Sequence, residues 1–259
     1  MPAPLLALEG ISRSFRRSGG AVVQAVRSVS LEVAEGETVA LVGESGSGKS
    51  TLGRIALALL PPDQGRVLLA GANLGELSAS ELRARRVAMQ PIFQDASASL
   101  NPRRTIGDLL AQALRRRDAA RDRGIDLLDS VGLRPGGQYL ARFPHELSGG
   151  QRQRVAIARA LAMEPRLIIA DEPLSGADVS IRGQILNLLL DIKRRQGVAY
   201  LMITHDISIA RAFADRVAVM QQGEIVEIGR ADTVLDAPRH PYTRRLVAAV
   251  PSLDFPAAG

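Results

Sequence analysis

Two hydrophobic rhythms alternate along the chain. Within the stretch from Ile11 to Val39, short alternating runs such as Val29, Leu31 and Val33 have the spacing of half-buried strands. Thr38-Val39-Ala40-Leu41-Val42 is continuously apolar, as expected of a strand covered on both faces. A glycine-rich turn follows, then a helical segment from about Ser50 to Leu60, stopped by Pro61-Pro62. Val67 to Leu69 and Val87 to Phe93 read as further strands, the second ending at Gln94. From Thr105 to Met163 the period becomes helical: Ile106, Leu109, Leu110, Ala113 and Leu114 form one stripe, and Val155, Ala158, Leu161 and Ala162 another. Leu167-Ile168-Ile169-Ala170 is strand-like and leads to a helix from about Asp178, with Ile181, Ile185, Leu188, Leu189 and Ile192 facing inward. Ala199 to Thr204, Val217 to Met220 and Ile225 to Ile228 are the remaining strand candidates. Apolar strands alternating with amphipathic helices predict an α/β fold with a largely parallel sheet, on which residues 96–162 form a helical insertion.

The 259 residues leave room for a sizeable core, and 46% hydrophobic with 23% charged residues is the balance of a globular chain. No run approaches ~18 consecutive apolar residues, and the opening MPAPLLALEG lacks the basic region of a secretory leader, so a cytosolic-side protein is expected. Zero cysteines exclude disulfides, thiolate zinc sites and ligated iron–sulfur clusters. A net charge of +6 suggests nucleic acid or an anionic membrane surface, but aromatics at 3% leave little for base stacking. Lys49 and Lys193 are the only lysines, and so heavy a bias to arginine reflects coding composition as readily as a ligand. No nucleic-acid partner is expected. Arg115-Arg116-Arg117 reads as a solvated helix face, with anionic lipid headgroups as the alternative.

Gly43-Glu44-Ser45-Gly46-Ser47-Gly48-Lys49-Ser50, followed by Thr51, fits the phosphate-loop pattern G-x-x-x-x-G-K-[ST] between a strand and a helix, the context that pattern requires. Glycines let the backbone wrap closely round a polyphosphate with its N–H groups inward, and the helix adds its positive end. Lys49 then neutralises β/γ-phosphates and the Ser50 hydroxyl ligates Mg²⁺. A fortuitous glycine turn is the competing reading, and the flanking elements decide against it. Asp171 and Glu172 end a buried strand, on the sheet edge where the phosphate loop emerges. Asp171 is placed to reach Mg²⁺ and Glu172 to take a proton from the attacking water. Such a pair is as often just the start of a polar loop; the phosphate loop in the same chain favours chemistry. Leu147-Ser148-Gly149-Gly150-Gln151 makes a second anion-seeking helix start, although an N-cap with a glycine turn would suffice alone.

GESGSGKS, Gln94, LSGGQ, LIIADE, Asp178 and His205, in this order and at these separations, resemble the ATP-binding subunit of an ABC transporter, from about Leu6 to Leu253. LSGGQ together with the phosphate loop is highly specific. Three stretches are similar to the peptide/nickel (dipeptide, oligopeptide) importer branch: Phe93-Gln94-Asp95 with Ser99-Leu100-Asn101-Pro102-Arg103; Val179 with Gln184-Ile185-Leu186-Asn187-Leu188-Leu189; and His240-Pro241-Tyr242-Thr243.

The resemblance implies a P-loop NTPase (RecA-like) core with an N-terminal antiparallel β-subdomain and an inserted α-helical subdomain at about 96–162, together spanning 1–237, and a tail over 238–259. It implies two ATPase domains paired head to tail, each Mg-ATP held between one chain's phosphate loop and the partner's Ser148, Gly149, Gly150 and Gln151, which would act in trans. Gln94 then contacts Mg²⁺ or water and relays nucleotide state, His205 sits near the γ-phosphate, Asp178 lies across the dimer interface, and Phe15 stacks on adenine. Ordinary alternatives remain for these four: a polar strand end, a structural histidine, an N-cap and a core aromatic. The implied partners are a second ATPase subunit (a copy or a paralogue), two transmembrane permease subunits and, indirectly, an extracytoplasmic solute-binding protein, at the cytoplasmic face of the cell membrane. Gly176-Ala177 replaces the usual Ala-Leu before the aspartate, Ala96 stands where proline is common, and the C-terminal cysteine cluster of many peptide-importer relatives is absent. The alternative is a soluble ABC-type ATPase acting on nucleic acid or ribosomes. Such proteins carry coiled-coil or zinc-bearing insertions or two cassettes, whereas this chain has one cassette, no cysteine and no long heptad run.

Overall fold

Ten strands are divided between two sheets in the computed structural model, which describes residues 3–16, 20–114, 120–175 and 179–249. Asp178 and the arginine run 115–117 lie outside the described residues. Strands β1 (Leu6–Arg16), β2 (Val22–Val33), β4 (Gln64–Leu69) and β5 (Ala72–Asn73) form an antiparallel sheet in the order β2-β1-β4-β5. Strands β3 (Thr38–Val42), β6 (Met89–Ile92), β7 (Leu167–Asp171), β8 (Ala199–Thr204), β9 (Arg216–Gln221) and β10 (Glu224–Arg230) form the other, in the order β10-β9-β3-β8-β7-β6. Every pairing in this second sheet is parallel except that of β10 with β9. The helices are α1 (Lys49–Ala56), α2 (Ala79–Arg85), α3 (Ala96–Ser99), α4 (Ile106–Leu114), α5 (Ala120–Ser130), α6 (Gly149–Leu161), α7 (Val179–Gln196), α8 (Ile207–Phe213), α9 (Ala231–Asp236) and α10 (Pro241–Ala248).

Successive side chains of a strand point to opposite faces, and the central strands sort their residues accordingly. Val39, Leu41, Leu167, Ile169, Leu201 and Ile203 pack with Leu52 and Ile55 of α1 and with Leu6, Leu8 and Leu31 of the antiparallel sheet. Ile168, Ala170, Tyr200 and Met202 face the other way, against Val155 and Ile157 of α6 and Ile185 and Leu189 of α7. Ala40, Val42, Val217 and Val219 face a third cluster, built from α8, α9 and Tyr242 of α10. Buried on both faces, these strands read as unbroken apolar runs, which is why Thr38–Val42 and Ala199–Thr204 are found with the expected limits. The helices α3 to α6 all lie in the chain between β6 and β7, neighbouring parallel strands of the sheet.

Several boundaries differ from expectation, three of them instructively. Helix α1 ends at Ala56 rather than Leu60: Ala58 takes φ 52°, and the N–H groups of Leu59 and Leu60 both turn back to the Arg54 carbonyl. This left-handed wrap closes a helix without a glycine, and buried Leu57 prolongs the apolar pattern beyond it. Strand β6 begins at Met89 because Arg86–Ala88 form a 3-10 turn. The first strand begins at Leu6, where Leu6 and Leu8 pair with Leu69 and Val67. Among the described residues, no helix is long and apolar enough to cross a membrane.

Candidate active site

Parallel strands bring their carboxyl ends to one edge, and at that edge the chain sets down its polar residues. The phosphate loop leaves β3, Gln94 follows β6, Glu172 follows β7 and His205 follows β8. A cavity of about 620 Å³ opens there, lined by Gly43 to Gly46, Gly48 to Thr51, Gln94, Glu172 and His205, with Ala25 and Leu246. Two glycines of the loop are sterically required. A Cβ on Gly43 (φ 153°) would lie 2.2 Å from the Met220 carbonyl oxygen, and one on Gly48 (φ 107°) 2.2 Å from that of Ala25. Gly48 caps α1 without any side-chain hydrogen bond, so the first N–H groups of this helix remain turned to the loop.

Lys49 is 6% exposed, and its ammonium donates to the carbonyls of Gly43 (2.7 Å) and Glu44 (2.8 Å). Burial lowers its pKa, while the carboxylates of Glu172, Asp171 and Glu44 pull it the other way. The Ser50 hydroxyl donates to Asp171 Oδ1 at 3.0 Å. Burial raises the Asp171 pKa, opposed by that bond, and neighbouring Glu172 adds to the rise. Glu172 holds φ 51°, a left-handed backbone costing a non-glycine residue about 1–3 kcal/mol. Its N–H donates to the Ile203 carbonyl (2.9 Å) and its C=O accepts from Ser175 N–H (3.1 Å), which fixes the bend and aims the carboxylate at β8. There Glu172 Oε1 meets His205 Nδ1 at 2.7 Å. With Nδ1 carrying the proton, a neutral His205 ring keeps Nε2 as a free acceptor, and a protonated ring keeps it as a donor. Gln94 Nε2 donates to Ser175 Oγ at 2.9 Å, tying the residue after β6 to the turn after β7.

Ser50, Asp171 and Gln94 each offer an oxygen of the kind Mg²⁺ accepts, and the first two are already hydrogen-bonded to each other. Among the described residues no cluster of three or more His, Asp or Glu side chains forms a dedicated metal cage. Neutral hydroxyl and amide oxygens beside one carboxylate suit an ion that draws its other ligands from water and phosphate.

Not every candidate converges here. Ser148, Gly149, Gly150 and Gln151 do not line the cavity. Ser148 and Gly149 are exposed at the start of α6, where a capping box closes the helix: Ser148 Oγ accepts from Gln151 N–H (3.3 Å) and Gln151 Oε1 from Ser148 N–H (2.9 Å). Phe15 is also outside the cavity lining, 39% exposed on β1 with the Arg13 guanidinium 5.3 Å from its ring centre. Asp178 lies outside the described residues.

A family model described as "ABC transporter" matches residues 26–175, more than half of the chain. The chain belongs to the ABC transporter family. A second family model, "Oligopeptide/dipeptide transporter, C-terminal region", matches residues 226–258. The glutathione import ATP-binding protein GsiA of Salmonella paratyphi A (strain ATCC 9150 / SARB42) is 48% identical over 262 residues, covering 97% of this chain and 42% of the relative. The GsiA of Escherichia coli (strain K12) is 53% identical over 235 residues, covering 88% and 37%. The chain thus spans less than half the length of these curated relatives. Among solved structures, the ATP-binding cassette MJ0796, a dimer in a post-hydrolysis state bound to ADP and Pi, superimposes with a TM-score of 0.78 at 31% identity, over 87% of this chain and 98% of that one. Clostridium perfringens cbiO1, part of the cbiONQ ABC transporter complex, gives 0.77 at 28% identity, over 90% and 91%. These comparisons establish the ABC ATPase fold, with its antiparallel sheet beside the P-loop NTPase sheet.

Besides Ala25, sequence reasoning missed two members of this ABC site. Leu246 lines the cavity, and the Tyr242 hydroxyl accepts a hydrogen bond from Glu44 N–H at 2.9 Å. The only signal for either was the HPYT segment, read as a family mark rather than as part of the site.

Proposed function

We propose that this chain is the ATP-hydrolysing subunit of an importer of the peptide/nickel branch, working at the cytoplasmic face of the cell membrane to drive uptake of di- or oligopeptides. The observation that carries this reading is the meeting of the phosphate loop, Gln94, Glu172 and His205 round one cavity, with Ser50 bonded to Asp171 at its base. The match of the tail to the oligopeptide/dipeptide C-terminal region supports the substrate class, as do relatives named for import of glutathione, itself a tripeptide.

Lys49 and the loop N–H groups bind the polyphosphate of ATP, and Phe15 stacks on the adenine. Ser50, Asp171 and Gln94 would hold Mg²⁺, which when bound would supply positive charge to offset that of the polyphosphate. Glu172 orients the attacking water and accepts its proton. His205, already bonded to that carboxylate, holds Glu172 in register with the γ-phosphate. The other wall of the site comes from a second ATPase subunit, a copy or a paralogue, through Ser148 to Gln151 and Asp178. Its exposed helix start is free of contacts with its own chain's cavity. ATP then favours the closed pair and hydrolysis reopens it, a population shift passed to two permease subunits and, through them, to a solute-binding protein.

The test is reconstitution. The chain is co-purified with its permease and solute-binding partners into vesicles, and uptake of a labelled dipeptide is followed with MgATP. Uptake that needs MgATP and fails with Glu172→Gln is expected. Hydrolysis that solute-loaded binding protein never stimulates would remove the importer assignment.

A further inference from the structure

The phosphate loop is gripped by the far end of the chain. Tyr242, the second residue of α10, is 4% exposed and packs in the cluster that contains Val42, the last residue before the loop. Its hydroxyl accepts the N–H of Glu44 at 2.9 Å. The opposite end of that peptide unit, the Gly43 carbonyl, accepts from Lys49 Nζ at 2.7 Å. One peptide plane is therefore held from both sides, by a phenol and by the ammonium that reaches for phosphate.

The approach of Tyr242 is itself built in. His240 caps α10 by accepting Tyr242 N–H on Nδ1 (3.2 Å), and Pro241 takes the first helical position, where a missing N–H costs nothing. The Glu227 carboxylate of β10 accepts the N–H groups of Arg239 (2.9 Å) and His240 (3.0 Å), anchoring the chain just before the helix. One turn further along α10, Leu246 reaches the cavity wall.

We propose that Tyr242 is a positioning residue of the phosphate loop, fixing the Gly43–Glu44 peptide when Lys49 turns its charge to phosphate. An ammonium has three protons, and here two are given to the Gly43 and Glu44 carbonyls and the third, at 3.4 Å, to Ser47 Oγ. As phosphate oxygens draw that ammonium, its hold on the peptide weakens and the phenol becomes the fixed attachment. The C-terminal segment thereby enters nucleotide binding without touching nucleotide through Tyr242. This rests on the ATP reading given above.

Tyr242→Phe keeps the ring in its cluster and removes only the acceptor. In the full chain, KM for MgATP is expected to rise about two- to tenfold, the range of one net hydrogen bond, with kcat falling by less. Restoring an acceptor is not required for a decision, because a second readout separates loop positioning from folding: the thermal midpoint of the nucleotide-free chain should move little. An unchanged KM overturns the proposal, whether or not the midpoint falls. A wild-type chain that neither binds nor splits MgATP overturns instead the ATPase reading beneath it.

Discussion

Two helix starts in this chain are rich in glycine and serine, and they are finished in opposite ways. Helix α1 begins at Gly48 with no side chain over its N–H groups, buried Lys49 beside it and three carboxylates within electrostatic reach. Helix α6 begins at Ser148 with two N–H groups, those of Ser148 and Gln151, answered by its own capping box. The first end leaves its donors open, the arrangement that receives an anion. The second meets part of its need from its own chain, and the box uses the Ser148 and Gln151 side chains only as acceptors, so a hydroxyl proton and an amide NH₂ stay available to a visitor. One end is a socket and the other a capped tip. A mechanical link joins the tip's helix to the chemistry: Gln153 Nε2, buried in α6, donates to the Pro173 carbonyl next to Glu172 at 3.0 Å.

The largest effect belongs on the socket side. Glu172→Gln should retain MgATP binding and lose about 10²–10⁴ in turnover, or roughly 3–5 kcal/mol of barrier, the usual worth of a general base. Steady-state hydrolysis beside a nucleotide titration checks both halves. Turnover at the wild-type rate would take Glu172 out of its role and leave the two helix ends without a reaction between them.

The next effect sharpens the division of labour. Lys49→Ala should weaken nucleotide binding about 10- to 100-fold, the scale of a charged hydrogen-bonding group. Ser148→Arg, at an exposed position, should leave the socket's affinity for nucleotide in place and block the paired state. If socket and tip meet across two copies, mixing the two variants builds dimers with one intact junction, and hydrolysis reappears that neither shows alone. Equal mixtures that stay inactive would mean that this chain does not complete the site with a copy of itself.

What the chain discloses in advance follows from how local each device is. The phosphate loop is legible because strand, glycines, lysine and helix are contiguous, and the continuous apolar runs Leu167–Ala170 and Ala199–Thr204, read as parallel strands, place Glu172 and His205 at the same edge. The end of α1 is not, because the left-handed turn at Ala58 uses no glycine and leaves the apolar pattern running on to Leu60. The hydrogen bond of Tyr242 to Glu44 joins residues 198 positions apart, and no local spacing encodes it. Its partners, His240 as cap and Pro241 at the first helical position, are each recognisable, but only as the start of a helix.

The smallest effect is the one that most cleanly separates a cap from a contact. Ser148→Ala removes the acceptor for Gln151 N–H and should cost about 1 kcal/mol of stability, read as a lower urea midpoint with an unchanged slope. Ser148→Asp restores an acceptor of similar capping strength, so the midpoint should return to within a few tenths of a kcal/mol of wild type. It also places a carboxylate where the tip would meet phosphate, and like charges there oppose nucleotide-dependent pairing. The expected result is a stable Ser148→Asp chain that binds MgATP as a monomer and fails to dimerise on it, measured by light scattering. A Ser148→Asp chain that pairs as wild type does would show that Ser148 is a helix cap and nothing more, and the likeness between the two helix starts would then be one of composition alone.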